Sequence, residues 1–156
     1  MEQAIISAVT HDTSEAKMTI SGVPDQPGVA ARVFRELADL EVNVDMIVQN
    51  VSDKGVTDIS FTVPHSDLDR AVAAGETIAA EIGALGVTSD PSIARVSVIG
   101  AGMRSNPGVA ATMFETLAAC GVNIQMISTS EIKISVVIGI DKAEEATRAV
   151  HDAFLG

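Results

Sequence analysis

Tryptophan and tyrosine are missing from this 156-residue chain, and four phenylalanines are all that stand in for them. The interior must therefore be built from Val, Ile, Ala, Leu and Met, which with the few aromatics bring the hydrophobic share to 47%. That supply suffices for one large or two small domains. Basic residues are scarce too, 10 Lys and Arg against 21 Asp and Glu, giving a formal charge of −11. Without a Lys/Arg cluster to displace counterions, nucleic acid and anionic membrane are excluded as partners. A single cysteine, Cys120, rules out an intramolecular disulfide, fits a reducing compartment and is expected as a small core residue. No apolar run approaches the roughly 18 residues of a membrane span, the best being Val136 to Ile140 and its flanks. The start, MEQAIISAVTHD, lacks the basic and apolar regions of a signal peptide, so a cytoplasmic location is expected. His11, His65 and His151 are far apart without ligand spacing, and no Walker A motif occurs, so no metal or cofactor is expected.

What the chain does have is a repeat. Pro27 to Ile47, PGVAARVFRELADLEVNVDMI, recurs eighty positions later at Pro107 to Ile127, PGVAATMFETLAACGVNIQMI, with 12 of 21 residues identical and no gap. Repetition of this density makes the chain a tandem of two units. Within each copy Pro opens a helix, where its missing N–H costs nothing. Val29, Val33, Phe34, Leu37 and Leu40, and in the twin Val109, Met113, Phe114 and Leu117, then recur at three- and four-residue intervals, an amphipathic stripe. After a short turn Val42, Val44, Met46 and Val48 alternate with Asn43, Asp45, Ile47 and Gln49, which predicts a half-buried strand; its twin starts at Val122.

Taken in order, Ala4 to Thr10 reads as a strand without a counterpart in the repeat, followed by a polar linker. Met18 to Val23 is the next strand, stopped by Pro24-Asp25-Gln26-Pro27. After the first repeated helix and strand, Ser52-Asp53-Lys54-Gly55 makes a hairpin turn and Val56 to Val63 returns. Ser66 with Asp69 is expected to form a capping box for a helix striped by Leu68, Val72, Ile78 and Ile82 and loosened by Gly75. Val87 to Asp90 adds a short strand. The second copy gives a strand at Ala94 to Gly100, a helix at Pro107 to Cys120, strands at Val122 to Ser128 and Ile132 to Ile140, and a helix from Asp141, with Glu144 as its capping partner, to Leu155. The fold class is therefore α+β: two ferredoxin-like βαββαβ units, each an antiparallel four-stranded sheet with two helices on one face. The first spans residues 16–90 and the second 91–156. The second lacks its last strand, and the N-terminal segment 1–15 is expected to complete that sheet, because an open apolar edge invites aggregation; a frayed tail is the alternative.

No catalytic constellation emerges. Gly100-Ala101-Gly102-Met103-Arg104-Ser105 sits between strand and helix as a dinucleotide fingerprint would, but Ser105 replaces the third glycine and no acidic residue ends the following strand. A binding site is the better reading. At both strand-to-helix junctions, Asp25 to Ala30 and Ser105 to Ala110, first-turn N–H groups form an anion site suited to an amino-acid carboxylate, and small residues admit the ligand. Asn43, Gln49 and Asn50, with Asn123, Thr129 and Ser130, offer polar contacts nearby. The same pattern is equally met if Asp25 and Asn106 merely cap helices and Asn43 and Asn123 fill turns.

The βαββαβ repeat with Pro-Gly opening its first helix resembles the ACT domain, an amino-acid-sensing module. VNVDMIVQNVS (Val42 to Ser52), VSVIGAGMRSNPGV (Val96 to Val109) and VNIQMISTSEIKISV (Val122 to Val136) are similar to the paired ACT domains of aspartokinase. The catalytic domain of that family is absent from this sequence, so the resemblance implies a non-catalytic regulatory (β) subunit or, equally, the regulatory part excised from a longer enzyme. It also implies a homodimer in which the first unit of one chain packs beside the second of another, a catalytic α-subunit as partner, and threonine, lysine or both as effectors. Feedback control of aspartate phosphorylation follows from it. Carried over by residue, the threonine site comprises Asp25, Gln26, Gly28, Val29, Ala30 and Gln49, facing Asn123 and Ile124 of the second chain. A pseudo-equivalent site comprises Asn106, Pro107, Gly108, Val109, Ile127 and Ser130, facing Asn43 and Val44. Ser52 and Thr62 stand where substitutions relieve feedback inhibition in relatives. Gln125 departs from the family's usual Glu, which weakens the expectation of lysine and puts threonine first. A dimerisation module of the same fold, or a sensor of another amino acid, is the competing reading.

Overall fold

A computed structural model describes residues 5–52, 54–103 and 106–156. Ala4 of the first expected strand, Asp53 of the hairpin, and Arg104 and Ser105 of the glycine-rich junction lie outside the described residues. Among the described residues eight strands and four α-helices follow one another as β1 (Ile5–Asp12), β2 (Glu15–Pro24), α1 (Val29–Asp39), β3 (Ile47–Val51), β4 (Val56–Pro64), α2 (Leu68–Ile82), β5 (Gly86–Asp90), β6 (Ile93–Ala101), α3 (Gly108–Ala119), β7 (Met126–Thr129), β8 (Lys133–Gly139) and α4 (Ala143–Phe154). They form two compact units, Ser14–Pro91 on the one hand and the residues up to Thr13 with Ser92–Gly156 on the other.

The first-repeat unit is a sheet of order β3-β4-β2-β5, antiparallel throughout. The second-repeat unit is a sheet of order β1-β6-β8-β7. The N-terminal strand thus takes, beside β6, the place that β5 holds beside β2. It runs antiparallel from Ile5 opposite Ala101 to Asp12 opposite Arg95, with one irregularity between Ile6 and Ala8. The Arg95 guanidinium meets the Asp12 carboxylate at 3.2 Å, and Ile6 and Val9 pack onto the core beneath. The expected strand swap is the structure's closing element.

Alternation along the strands sets the cores. Met18, Ile20, Ile59, Phe61 and Val63 meet Val33, Leu37, Ala71 and Ile78 in one unit; Val96, Val98, Val136 and Ile138 meet Met113, Leu117, Ala146 and Val150 in the other. Phe34 and Phe61 cross edge to face with centroids 5.5 Å apart, a geometry favoured by the ring quadrupoles. Leu40, expected in the α1 stripe, is 40% exposed and lies past the helix end, its carbonyl accepting from Arg70 Nη1 at 2.7 Å. Gly75 does not loosen α2: a Cβ there would stand 2.9 Å from Met18 Cε, so its lack of a side chain sets how closely helix and sheet approach.

Three local expectations are corrected. The alternating run after each first helix pairs later than its pattern suggests, at Ile47 in β3 and Met126 in β7. The chain first folds back on the helix end, Val42 N–H donating to Leu37 O and Val122 N–H to Leu117 O, and only from Asp45 and Gln125, whose N–H groups donate to Thr62 O and Val137 O, does it turn to the neighbouring strand. Burial along 42–46 nevertheless alternates as expected, with Val42 and Met46 buried and Asn43 and Asp45 exposed. The capping boxes do not form either: 3-10 turns at His65–Asp67 and Ile140–Lys142 lead into α2 and α4, which have no side-chain cap. Cys120 is half-buried at the end of α3 rather than in the core.

Candidate functional site

The two Pro-Gly junctions share a scaffold and differ in detail. In the first, Asp25 N–H donates to Gly55 O at 2.9 Å, Gln26 N–H turns back on Pro24 O at 3.0 Å, and Val29 N–H reaches Gln26 O at 3.3 Å. Gly28 then enters the helix with φ 89°, a conformation that only glycine adopts without strain. Ala30 and Ala31 follow in the first turn, where no intrahelical carbonyl can accept their N–H groups. Asp25 is exposed and makes no cap, so the capping alternative fails there. Val29 and Ala30 are half-buried against the core, while Gln49 is exposed on β3 opposite Ile59. Gly28 and Ala31 border an open depression of about 550 Å³ that runs along α1 past Arg32 and Arg35.

At the second junction Asn106 is not a cap either. Its side-chain amide donates back to Gly102 O at 2.6 Å, and its carbonyl accepts from Val109 N–H at 3.1 Å. This loop frames a cavity of about 200 Å³ in which Asn106, Pro107, Val109 and Ser130 meet. Met103, Ala110 and Ile134 supply an apolar floor, and Thr129 adds a hydroxyl beside that of Ser130. Ser130 is fixed by its N–H to Lys133 O at 2.8 Å, across the short hairpin between β7 and β8. The cavity therefore offers helix-start donors, two hydroxyls and an apolar wall, with no acid or base among these lining residues. That combination can bind a small molecule with polar and apolar parts. Met103, read from sequence only as part of the glycine-rich junction, and Ile134, read only as part of a strand, belong to the core as well as to the cavity floor.

The remaining candidates are not among the residues that line that cavity. Gly108 is exposed at the first position of α3, and Ile127 is 46% exposed on the edge strand β7. Asn43 is exposed and Val44 half-buried in the segment before β3, and Ile124 packs against the core of the second-repeat unit. Asn123 borders a different depression, with Gln125, Asp141 and Lys142. Thr62 is buried and its hydroxyl accepts from Met46 N–H at 3.0 Å, so it fixes the segment that leads into β3. Among the described residues no group of three His, Cys, Asp or Glu is placed to hold a metal ion, and no helix is long and apolar enough to cross a membrane.

The ACT domain family matches residues 6–76 and 96–154. An aspartokinase of Mycolicibacterium smegmatis is 51% identical over 156 residues, 99% of this chain and 37% of that protein. An aspartate kinase of Stutzerimonas stutzeri is 53% identical over 154 residues, again 99% and 37%. The chain thus spans little more than a third of the length of these relatives. Among solved structures, that of aspartokinase alpha and beta subunits superposes with a TM-score of 0.90 at 45% identity, covering 96% of this chain and 99% of that one. The ligand-free regulatory subunit of aspartate kinase from Thermus thermophilus gives 0.91 at 44% identity, with the same coverages.

Proposed function

The chain belongs to the ACT-domain family, as the paired regulatory part of the aspartokinases, and on that premise we propose that it senses threonine, with lysine as a second effector, and passes the signal to a catalytic aspartokinase subunit. In this reading residues 16–90 and 91–156, the latter completed by 1–15, are its two ACT domains, and it works in the cytoplasm as a homodimer. It has no kinase activity of its own; the aspartate phosphorylation it restrains belongs to the partner.

The observation that carries the reading is the cavity at the start of α3, where Asn106, Pro107, Val109 and Ser130 converge on about 200 Å³. First-turn amides hold a carboxylate there, helped by the helix dipole. In the first unit Asp25 and Gln49 take the ammonium and hydroxyl of threonine, while Asn123 and Ile124 of a second chain close the site. Inhibition arises because the effector prefers one arrangement of the paired units, and only that preference, typically about 1–3 kcal/mol, reaches the catalytic partner.

Calorimetric titration with threonine and then lysine, with light scattering to count chains, tests this. Saturable threonine binding to a dimer, weakened at least tenfold in Gln49→Ala or Asp25→Ala, is the expected result. A folded dimer that gives no heat with either amino acid leaves dimerisation as the function of the fold.

A further inference from the structure

The chain passes between its two units twice, at Thr13–Ser14 and at Pro91–Ser92. One residue of the first-repeat unit holds both passages. His65 starts the 3-10 turn His65–Asp67 that leads into α2, and its backbone N–H donates to Ser14 O at 2.9 Å. Its ring Nε2 lies 2.9 Å from Pro91 O. A carbonyl only accepts, so Nε2 carries the proton, as it does in one neutral tautomer and in the imidazolium alike.

The second repeat supplies the comparison. There Ile140 opens the turn Ile140–Lys142 that leads into α4, and its N–H donates to Ser92 O at 3.0 Å. The backbone bond is the same in both repeats, from the turn start to the serine that precedes an inner strand, β2 in one unit and β6 in the other. Ile140 has no side-chain donor, so the ring bond belongs to the first repeat alone. The bonds then meet end to end. His65 Nε2 holds the carbonyl of Pro91, the next residue is Ser92, and the carbonyl of Ser92 holds Ile140 N–H. Two hydrogen bonds and one residue step therefore run from the entry of α2 to the entry of α4, and each bond lies inside one unit.

Both ends of this path can move. Neither α2 nor α4 has a side-chain cap, and a 3-10 turn holds each entry with weaker hydrogen-bond geometry than an α-turn would. Such starts are where local opening begins. His65 itself is exposed, so losing its ring bond strands no buried group and leaves the core untouched. We propose that His65 is a conformational clasp that couples the entries of α2 and α4, so that opening one loosens the other. The fixed φ of Pro91 keeps the connecting step stiff, and the coupling acts equally in both directions. It uses neither Pro-Gly junction and does not depend on the effector reading.

Amide hydrogen exchange of the full chain, with no amino acid added, tests the clasp. His65→Leu keeps the backbone bond to Ser14 and removes the ring donor, whereas His65→Gln returns an N–H near the Nε2 position. The amides read are those of Ile140 and of Ala143, which donates to Ile140 O. Both should exchange about tenfold faster in His65→Leu and within about threefold of the parent in His65→Gln, while Val98 and Val136 in the sheet change less than about twofold. Ile140→Pro deletes the N–H that ends the path, at a first-turn position that tolerates proline. In that background His65→Leu should no longer change Ala143 exchange. Unchanged exchange at Ile140 and Ala143 in His65→Leu overturns the proposal. So does a glutamine variant as fast as the leucine one, which reduces the ring to packing, or equal loss of protection at Val98 and Val136, which marks general destabilisation. An undiminished effect of His65→Leu beside Ile140→Pro overturns it too, because the coupling then runs by another route.

Discussion

Thr62 grips Met46 twice: its hydroxyl accepts from the Met46 amide at 3.0 Å and its own amide donates to the Met46 carbonyl at 3.0 Å. Both residues are buried. The second repeat has Val137 opposite Met126, so that side-chain bond has no counterpart there. Thr62→Val keeps the shape but strands a buried N–H, a change that costs about 1–3 kcal/mol. The expected outcome is a lower urea midpoint with faster exchange of the Met46 amide. Because the same segment leads to Gln49, threonine binding should weaken as well, which the calorimetric titration measures.

Glu41 and Gly121 occupy the same turn, with φ 60° and φ 72°, and each turn is closed by the N–H of the next residue, Val42 donating to Leu37 O and Val122 to Leu117 O. The left-handed conformation strains glutamate and not glycine. Glu41→Gly should therefore stabilise the first-repeat unit by about 1 kcal/mol, and Gly121→Glu should destabilise the other by about as much. Thermal unfolding of the two variants checks both signs.

At Gly75 two effects oppose each other. Alanine in place of glycine favours a helix interior by about 1 kcal/mol, but its Cβ would press on Met18 Cε at 2.9 Å. The methyl is the end of a flexible side chain, so Gly75→Ala should fall within about 1 kcal/mol of the parent. Gly75→Leu cannot be absorbed in that way and should cost about 1–3 kcal/mol or more in chemical denaturation.

Removing residues 1–12 takes away β1 and with it the cover of β6, whose hydrogen-bonding edge then faces water. The truncated chain should lose the cooperative unfolding of the second-repeat unit and aggregate on warming, while Ser14–Pro91 retains its own transition. Calorimetry with light scattering distinguishes the two units.

The repeat carried most of the architecture in plain sight. Pro27 and Pro107 mark the helix starts, and the strand alternation of Ile59, Phe61 and Val63 marks the core face. Boundaries were harder to read, for physical reasons. Val42, Val44 and Met46 alternate in burial as a strand does, yet their backbone is occupied with the end of α1 and with Thr62, partners distant enough in sequence to leave no local pattern. Ser66 and Asp141 look like caps, but each lies inside a 3-10 turn that starts before it. The cavity at α3 was half legible: Asn106, Pro107 and Val109 stand together in the chain, whereas Ile134 reaches it only through the pairing of β8 with β7. That Asp141 and Lys142 border the same depression as Asn123 left no sequence pattern, since it depends on two strand ends coming together.

The strand that completes the second-repeat sheet is translated before the first repeat, while its partner β6 follows it. On the ribosome, β1 must wait with an unsatisfied edge while some eighty residues emerge and Ser14–Pro91 collapses without it. A circularly permuted gene that places residues 5–12 after Phe154 would turn this detained strand into the ordinary last strand of a βαββαβ unit. Each repeat would then be a contiguous module, free to be made, and exchanged, on its own.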